Sequence, residues 1–193
     1  MQVNQALDYV QGVHPRFDRA KAEALLARTQ IPRRAKVREL SKGMVTQLHL
    51  ALILAIDARL LVLDEPTLGL DLLYRRQFYD TLLNDYFDKE RTILLTTHQV
   101  EEIEHLLTDV LFLRQGRVTL SAPVDSLPQQ YAQLTVGPDQ VARARELHPF
   151  YEREIFGRVV MFFEGQPSAA LASLGDVRTP SIADLFVAKM QAA

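Results

Sequence analysis

The sequence predicts an α/β fold in which a helical amino-terminal region leads into a parallel-sheet core and then into a small α+β appendage. Three observations carry this. Apolar residues recur at helical spacing before residue 57. The uninterrupted apolar run Leu60 to Leu63 and the β-rich run Thr92 to Thr96 bracket a helical pattern. Beyond Pro123 to Pro128, short β-rich runs alternate with short helical stretches.

Residues 2–13 and 18–29 read as two helices separated at Pro15, the second opening on Asp18 as N-cap with Ala22, Leu25 and Leu26 on one face. A basic connector, 31–38, leads to a more apolar helix over about 42–56, with Ser41 at its cap and Asp57 beyond its end. The runs at 60–63 and 92–96 lack polar alternation, which suits strands buried on both faces. The pattern from 72 to 87 supplies the crossover helix of a right-handed βαβ unit. A further helix is expected over 100–107, then a hairpin of strands 110–114 and 117–121 turning at Gln115-Gly116. In the tail, 133–136, 151–156 and 159–163 read as strands around helices near 138–147 and 168–174. A last helix follows Pro180-Ser181, with Ile182, Leu185, Phe186 and Met190 on one face. The expected division is therefore 1–57 helical, 58–128 α/β core and 129–193 appendage.

At 193 residues and 48% hydrophobic content the chain can bury a core. A net charge of -2, from 22 basic residues interleaved with 24 acidic ones, gives no cationic field, so no direct nucleic-acid partner is expected. Cysteine is absent, which excludes disulfides and thiolate metal sites and points to the cytoplasm. The longest apolar run, Leu50 to Ile56, is far below the roughly 20 residues that cross a bilayer. Membrane association would have to go through a partner.

The chemistry concentrates in four places. Asp64 and Glu65 end a buried strand, the side on which open α/β sheets bind ligands. Consecutive strand side chains diverge, so one acid can address a cation while its neighbour addresses an attacking water. Pro66 is expected to hold Glu65 extended. Ser41 and Gly43 open a helix whose free N–H groups and partial positive charge suit an anion, and Gly43 lets phosphate approach the backbone. An ordinary cap explains Ser41 but not a glycine inside the first turn. His98 follows Thr96-Thr97, and Asp71 follows Gly69-Leu70 as a candidate cap for the next helix. His14, His49, His105 and His148 lack metal-ligand spacing, Arg33-Arg34 and Arg75-Arg76 read as solvated faces, and Phe78, Tyr79, Tyr86 and Phe87 read as packing residues.

Leu40 to Met44, Leu60 to Pro66, Gly69 to Asp71 and Thr96 to His98 resemble, in order and spacing, the signature, metal-binding strand, D-loop and H-loop of ABC-type ATPases. The resemblance implies a partial P-loop NTPase cassette that binds ATP and Mg²⁺. Asp64 would hold the metal, Glu65 would be general base, and His98 would contact the γ-phosphate. Ser41, Lys42 and Gly43 would reach a nucleotide carried by a second cassette, and Asp71 would link the two. The commoner family signature is L-S-G-G-Q. Lys42 here adds attraction for phosphate and Met44 removes an amide. A transmembrane permease is the further partner implied, with the protein peripheral on the inner face of the membrane. The tail resembles the carboxy-terminal extension of some bacterial transporter subunits.

None of the eight glycines begins the G-K-S/T end of a phosphate-binding loop, so the resemblance implies an amino-terminally truncated cassette without P-loop or glutamine loop. Such a chain alone is expected not to hydrolyse ATP. It would instead complete an intact partner's site as a noncatalytic subunit, or be the rear part of an ordinary ATPase. In the family fold the P-loop strand lies between 92–96 and 110–114, and a gap there is expected to favour aggregation unless those strands pair with each other. A soluble ABC ATPase outside transport is disfavoured by the absence of long heptads and of a basic surface.

Overall fold

The computed structural model describes residues 1–87, 90–166 and 168–192, which form two compact units, Met1–His98 and Gln99–Ala193.

In the first unit, α1 (Val3–Val13) starts with a reciprocal cap between Gln2 and Gln5, Gln2 N donating to Gln5 Oε1 at 2.8 Å. Then come α2 (Arg19–Ala27), capped by Asp18 as expected, and α3 (Lys42–Leu54). Their apolar faces meet in one cluster, Val3, Leu7, Ala22, Leu26, Ile31, Leu48, Ala51 and Ala55. Strands β1 (Leu60–Asp64) and β2 (Thr92–Thr96) pair in parallel, with Leu61 opposite Ile93 and Asp64 opposite Thr96. Between them, α4 (Leu72–Thr81) runs into a π-helical turn, Leu82–Tyr86, rather than continuing as one α-helix to 87.

That turn is anchored by Tyr86, which is 1% exposed. Its hydroxyl donates to the Ile56 and Ala58 carbonyls at 3.4 and 3.3 Å, and the Arg91 guanidinium lies 4.8 Å from its ring centre. Phe78 and Tyr79 are buried too, but Phe87 lies past the turn and is 45% exposed, against the expectation that it packs. Of the arginine pairs, Arg34 and Arg76 are exposed, whereas Arg33 and Arg75 are half-buried. They donate to the carbonyls of Glu23 (3.0 Å) and Leu70 (2.9 Å).

The expectation that β1 and β2 are buried on both faces is corrected. Leu61 and Leu63 are buried, while Leu60, Val62 and Leu94 are 58%, 57% and 54% exposed. Within this unit only one face of the sheet is covered, so the pleat sorts an all-apolar run into alternate environments.

In the second unit, the single helix expected over 100–107 is instead two 3₁₀ turns, Val100–Glu102 and Glu104–Leu106. Ile103, at φ -125° and ψ -5°, breaks the helical path between them. Glu101 and Glu104 would stand three apart on one helix face, an unfavourable like-charge pair. Strands β3 (Asp109–Arg114) and β4 (Arg117–Pro123) form a hairpin whose turn residues Gln115 and Gly116 both take positive φ, 49° and 76°. Within each unit the pairing is local: β2 pairs with β1, and β3 with β4.

The tail is more regular than the sequence suggested. The short helix α5 (Leu127–Gln130) precedes β5 (Tyr131–Val136), α6 (Val141–Arg145), β6 (Tyr151–Ile155), β7 (Arg158–Glu164), α7 (Ser168–Ala172) and β8 (Asp176–Arg178). The strands form an antiparallel sheet in the order β6-β7-β5-β8, the split β-α-β-β-α-β arrangement.

The final helix α8 (Ile182–Gln191) is capped by Ser181 and buries Ile182, Leu185 and Ala188. Its Met190 is half-buried and its Phe186 is 39% exposed, with the Phe186 ring edge-on to Phe112. Lys189 Nζ donates to Glu164 at 2.7 Å, and the Tyr131 hydroxyl donates to the same carboxylate at 2.8 Å. Burial alone would raise the Glu164 pKa, but these two hydrogen bonds outweigh it and hold the carboxyl below its ordinary range.

Candidate functional site

The candidate residues lie where β1 and β2 end and where α3 and α4 begin. Because Asp64 and Thr96 are opposite in a parallel ladder, their side chains share one side of the sheet, and the Thr96 hydroxyl donates to Asp64 Oδ1. The next residues turn the other way. Glu65 N donates to the Thr96 carbonyl at 3.1 Å. Its Oε1 accepts from the His98 backbone N–H at 3.0 Å and contacts His98 Nδ1 at 2.7 Å, and the Thr97 hydroxyl reaches Oε2 at 3.5 Å. The structure thus brings Glu65 and His98 together and sets Asp64 apart from them.

Glu65 is not extended, as its place before Pro66 suggested; its φ is 45°. Such a backbone in a non-glycine residue costs on the order of 1–3 kcal/mol and persists where surrounding bonds impose it. Here the Thr96 and His98 bonds fix both its backbone and its carboxylate, which outweighs the pre-proline preference. The chain then closes two tight turns, Leu68 N to the Glu65 carbonyl at 3.1 Å and Leu70 N to the Thr67 carbonyl at 3.0 Å. Thr67 is buried at 1% exposure, with its hydroxyl 3.3 Å from that of Tyr79.

Asp71 caps α4, accepting from Tyr74 N at 3.0 Å. Ser41 caps α3, accepting from Met44 N at 3.3 Å. Replacing Ser41 by Ala is therefore expected to lower stability by about 1 kcal/mol in urea unfolding, and by Gly only a few tenths. Gly43 sits against the turn after β1: a Cβ there would lie 3.2 Å from the Gly69 carbonyl oxygen. Lys42 lines a shallow groove with Leu40, Val45, Thr46, Leu68 and Gly69.

Among the described residues no cluster of three or more His, Asp or Glu is placed to hold a metal. A lone carboxylate fits Mg²⁺ all the same, since that ion commonly takes one or two carboxylates and fills its shell with phosphate oxygens and water. In the sequence Thr96 and Thr97 stand only as the approach to His98; the strand register is what aligns these two hydroxyl residues with the two acids.

Residues 7–104 match the family model described as "AAA domain, putative AbiEii toxin, Type IV TA system". The ABC transporter ATP-binding protein YtrB of Bacillus subtilis is 33% identical over 135 residues, 70% of this chain and 46% of YtrB. The Nod factor export ATP-binding protein I of Burkholderia pseudomallei is 39% identical over 145 residues, 72% of this chain and 47% of that protein. The chain belongs to the AAA-domain family, among the ABC-type ATPases. A solved ATP-binding subunit of an ABC transporter agrees, with a TM-score of 0.58 at 25% identity over 66% of this chain and 55% of that one. This ABC-type chain spans about half the length of the curated relatives it matches.

Proposed function

We propose that this chain is an ATP-binding subunit of an ABC transporter that couples ATP hydrolysis to movement of a substrate across a membrane. The observation that supports this best is the meeting of Glu65 and His98 at the ends of two parallel strands, Glu65 Oε1 accepting the His98 N–H at 3.0 Å. A carboxylate held there could take a proton from an attacking water, and the neighbouring His98 would meet the terminal phosphate. Asp64 would hold Mg²⁺, which would neutralise negative charge on the phosphate oxygens. The α3 amino terminus, with Ser41, Lys42 and Gly43, would face the phosphate of a nucleotide bound by a second cassette, where free N–H groups and the helix dipole favour an anion. Asp71, at the start of α4, would sit in the contact between cassettes.

Among the described residues no helix is long and apolar enough to cross a membrane. A transmembrane permease is therefore the proposed anchor, with this subunit peripheral on the cytoplasmic face.

A second reading is favoured by one feature: these 193 residues contain no G-x-x-x-x-G-K-S/T. By themselves they then offer Asp64, Glu65 and His98 to no tightly held phosphate, while α3 can still complete an intact partner's site. The purified 193-residue chain is expected to show no Mg²⁺-dependent ATP turnover above buffer, yet to raise turnover by an intact ABC cassette whose own signature serine is replaced. Robust hydrolysis by the chain alone would overturn the requirement for a phosphate-binding loop from outside these residues.

A further inference from the structure

We propose that Thr96 is a positioning residue for Asp64: its hydroxyl pins one carboxylate oxygen so that the other is presented outward to a cation. This rests on the reading of Asp64 as the cation ligand, and it adds a residue whose part in the site only the strand register reveals.

Three observations carry the argument. Asp64 and Thr96 are Cα partners in the parallel β1–β2 ladder, so their side chains emerge side by side on one face. The Thr96 hydroxyl donates to Asp64 Oδ1, and both residues are exposed to solvent. The backbone beside the pair is itself fixed, because Glu65 N donates to the Thr96 carbonyl at 3.1 Å.

Threonine suits this task for a physical reason. Its β-branch leaves few χ1 choices in a strand, so the hydroxyl is delivered in a narrow cone without a large entropy cost. A small ion that demands near-octahedral geometry gains most from a carboxylate that does not swing. Thr97, one residue on, points to the opposite side and reaches Glu65 Oε2 at 3.5 Å, a weaker contact. The two hydroxyls thus meet different acids, Thr96 the one read as the cation ligand.

The test uses the 193-residue chain with Mg²⁺ as the probe. Three-bond couplings to Asp64 Cγ, read by NMR, report its χ1. They are expected to show one rotamer in the unmodified chain, rotamer averaging in Thr96→Val, and a single rotamer again in Thr96→Ser. Titration with Mg²⁺, followed at the Asp64 carboxyl carbon, is expected to need about tenfold more ion in Thr96→Val, the order seen when a ligand's supporting hydrogen bond is lost, with Thr96→Ser close to the unmodified chain.

Unchanged couplings in a folded Thr96→Val, or averaging in Thr96→Ser, would overturn the proposal. Thr96→Ser decides it even if Thr96→Val does not fold. The couplings settle the positioning whatever the cation does. Absence of any Mg²⁺ response at Asp64 in the unmodified chain would count against the cation reading alone.

Discussion

Glu65→Gln is expected to stop hydrolysis while leaving nucleotide bound. The change keeps the shape of the side chain, and Gln can still accept the His98 N–H that Glu65 Oε1 now accepts at 3.0 Å. What it removes is the basic oxygen. General-base assistance is worth on the order of 10² to 10⁴ in rate, so kcat should fall by that factor with little change in apparent affinity. The measurement needs a phosphate-binding loop on the same cassette, supplied by joining the P-loop half of an ABC relative ahead of residue 1. Single-turnover and steady-state rates of that protein, with and without the substitution, report the effect. A loss of less than about tenfold would mean that another group takes the proton.

Phe163→Ala is expected to be the most damaging single change to the carboxy-terminal unit. Phe163 is 0% exposed in the middle of the antiparallel sheet, opposite Ala132 and within the cluster that joins strands β5 and β7 to the helical layer. Truncating a fully buried phenylalanine typically costs about 3–5 kcal/mol through lost transfer energy and the cavity left behind. That is a large share of a domain's stability of about 5–15 kcal/mol. Urea unfolding followed by far-ultraviolet circular dichroism should show the midpoint drop steeply with little change in slope. Phe163→Leu, which keeps most of the volume, should lose much less. A cost below about 1 kcal/mol for the alanine would mean that the cluster collapses onto the vacated space.

The sequence made legible what depends on neighbours along the chain. Asp18, Ser41, Asp71 and Ser181 precede apolar helical patterns and the first three were expected as caps; the structure gives each of the four a backbone N–H. The β-rich runs at 60–63 and 92–96 became parallel partners around a helix, and the hairpin turned at Gln115-Gly116.

What it hid depends on partners far away. Leu60 and Val62 look identical in kind to Leu61 and Leu63, and only the one-sided packing of the sheet separates exposed from buried. Glu65 has positive φ because residues more than thirty positions later hold it, which no local rule before Pro66 anticipates. The three-residue strand β8 has too short a pattern to read, yet by pairing with β5 it completes the sheet order that defines the tail. The helix expected over 100–107 failed for a local reason instead, since its acidic face and its break at Ile103 leave only 3₁₀ turns.

The amino end of α3 is proposed to contact the terminal phosphate of a nucleotide held by another cassette. A structure of this chain bound to an intact ABC cassette with Mg²⁺ and a non-hydrolysable ATP analogue measures it directly. The backbone N–H groups near Ser41 and Gly43 are expected within hydrogen-bond distance, about 3 Å, of the γ-phosphate. A helix end turned away from the nucleotide, with Ser41 facing solvent, would contradict it.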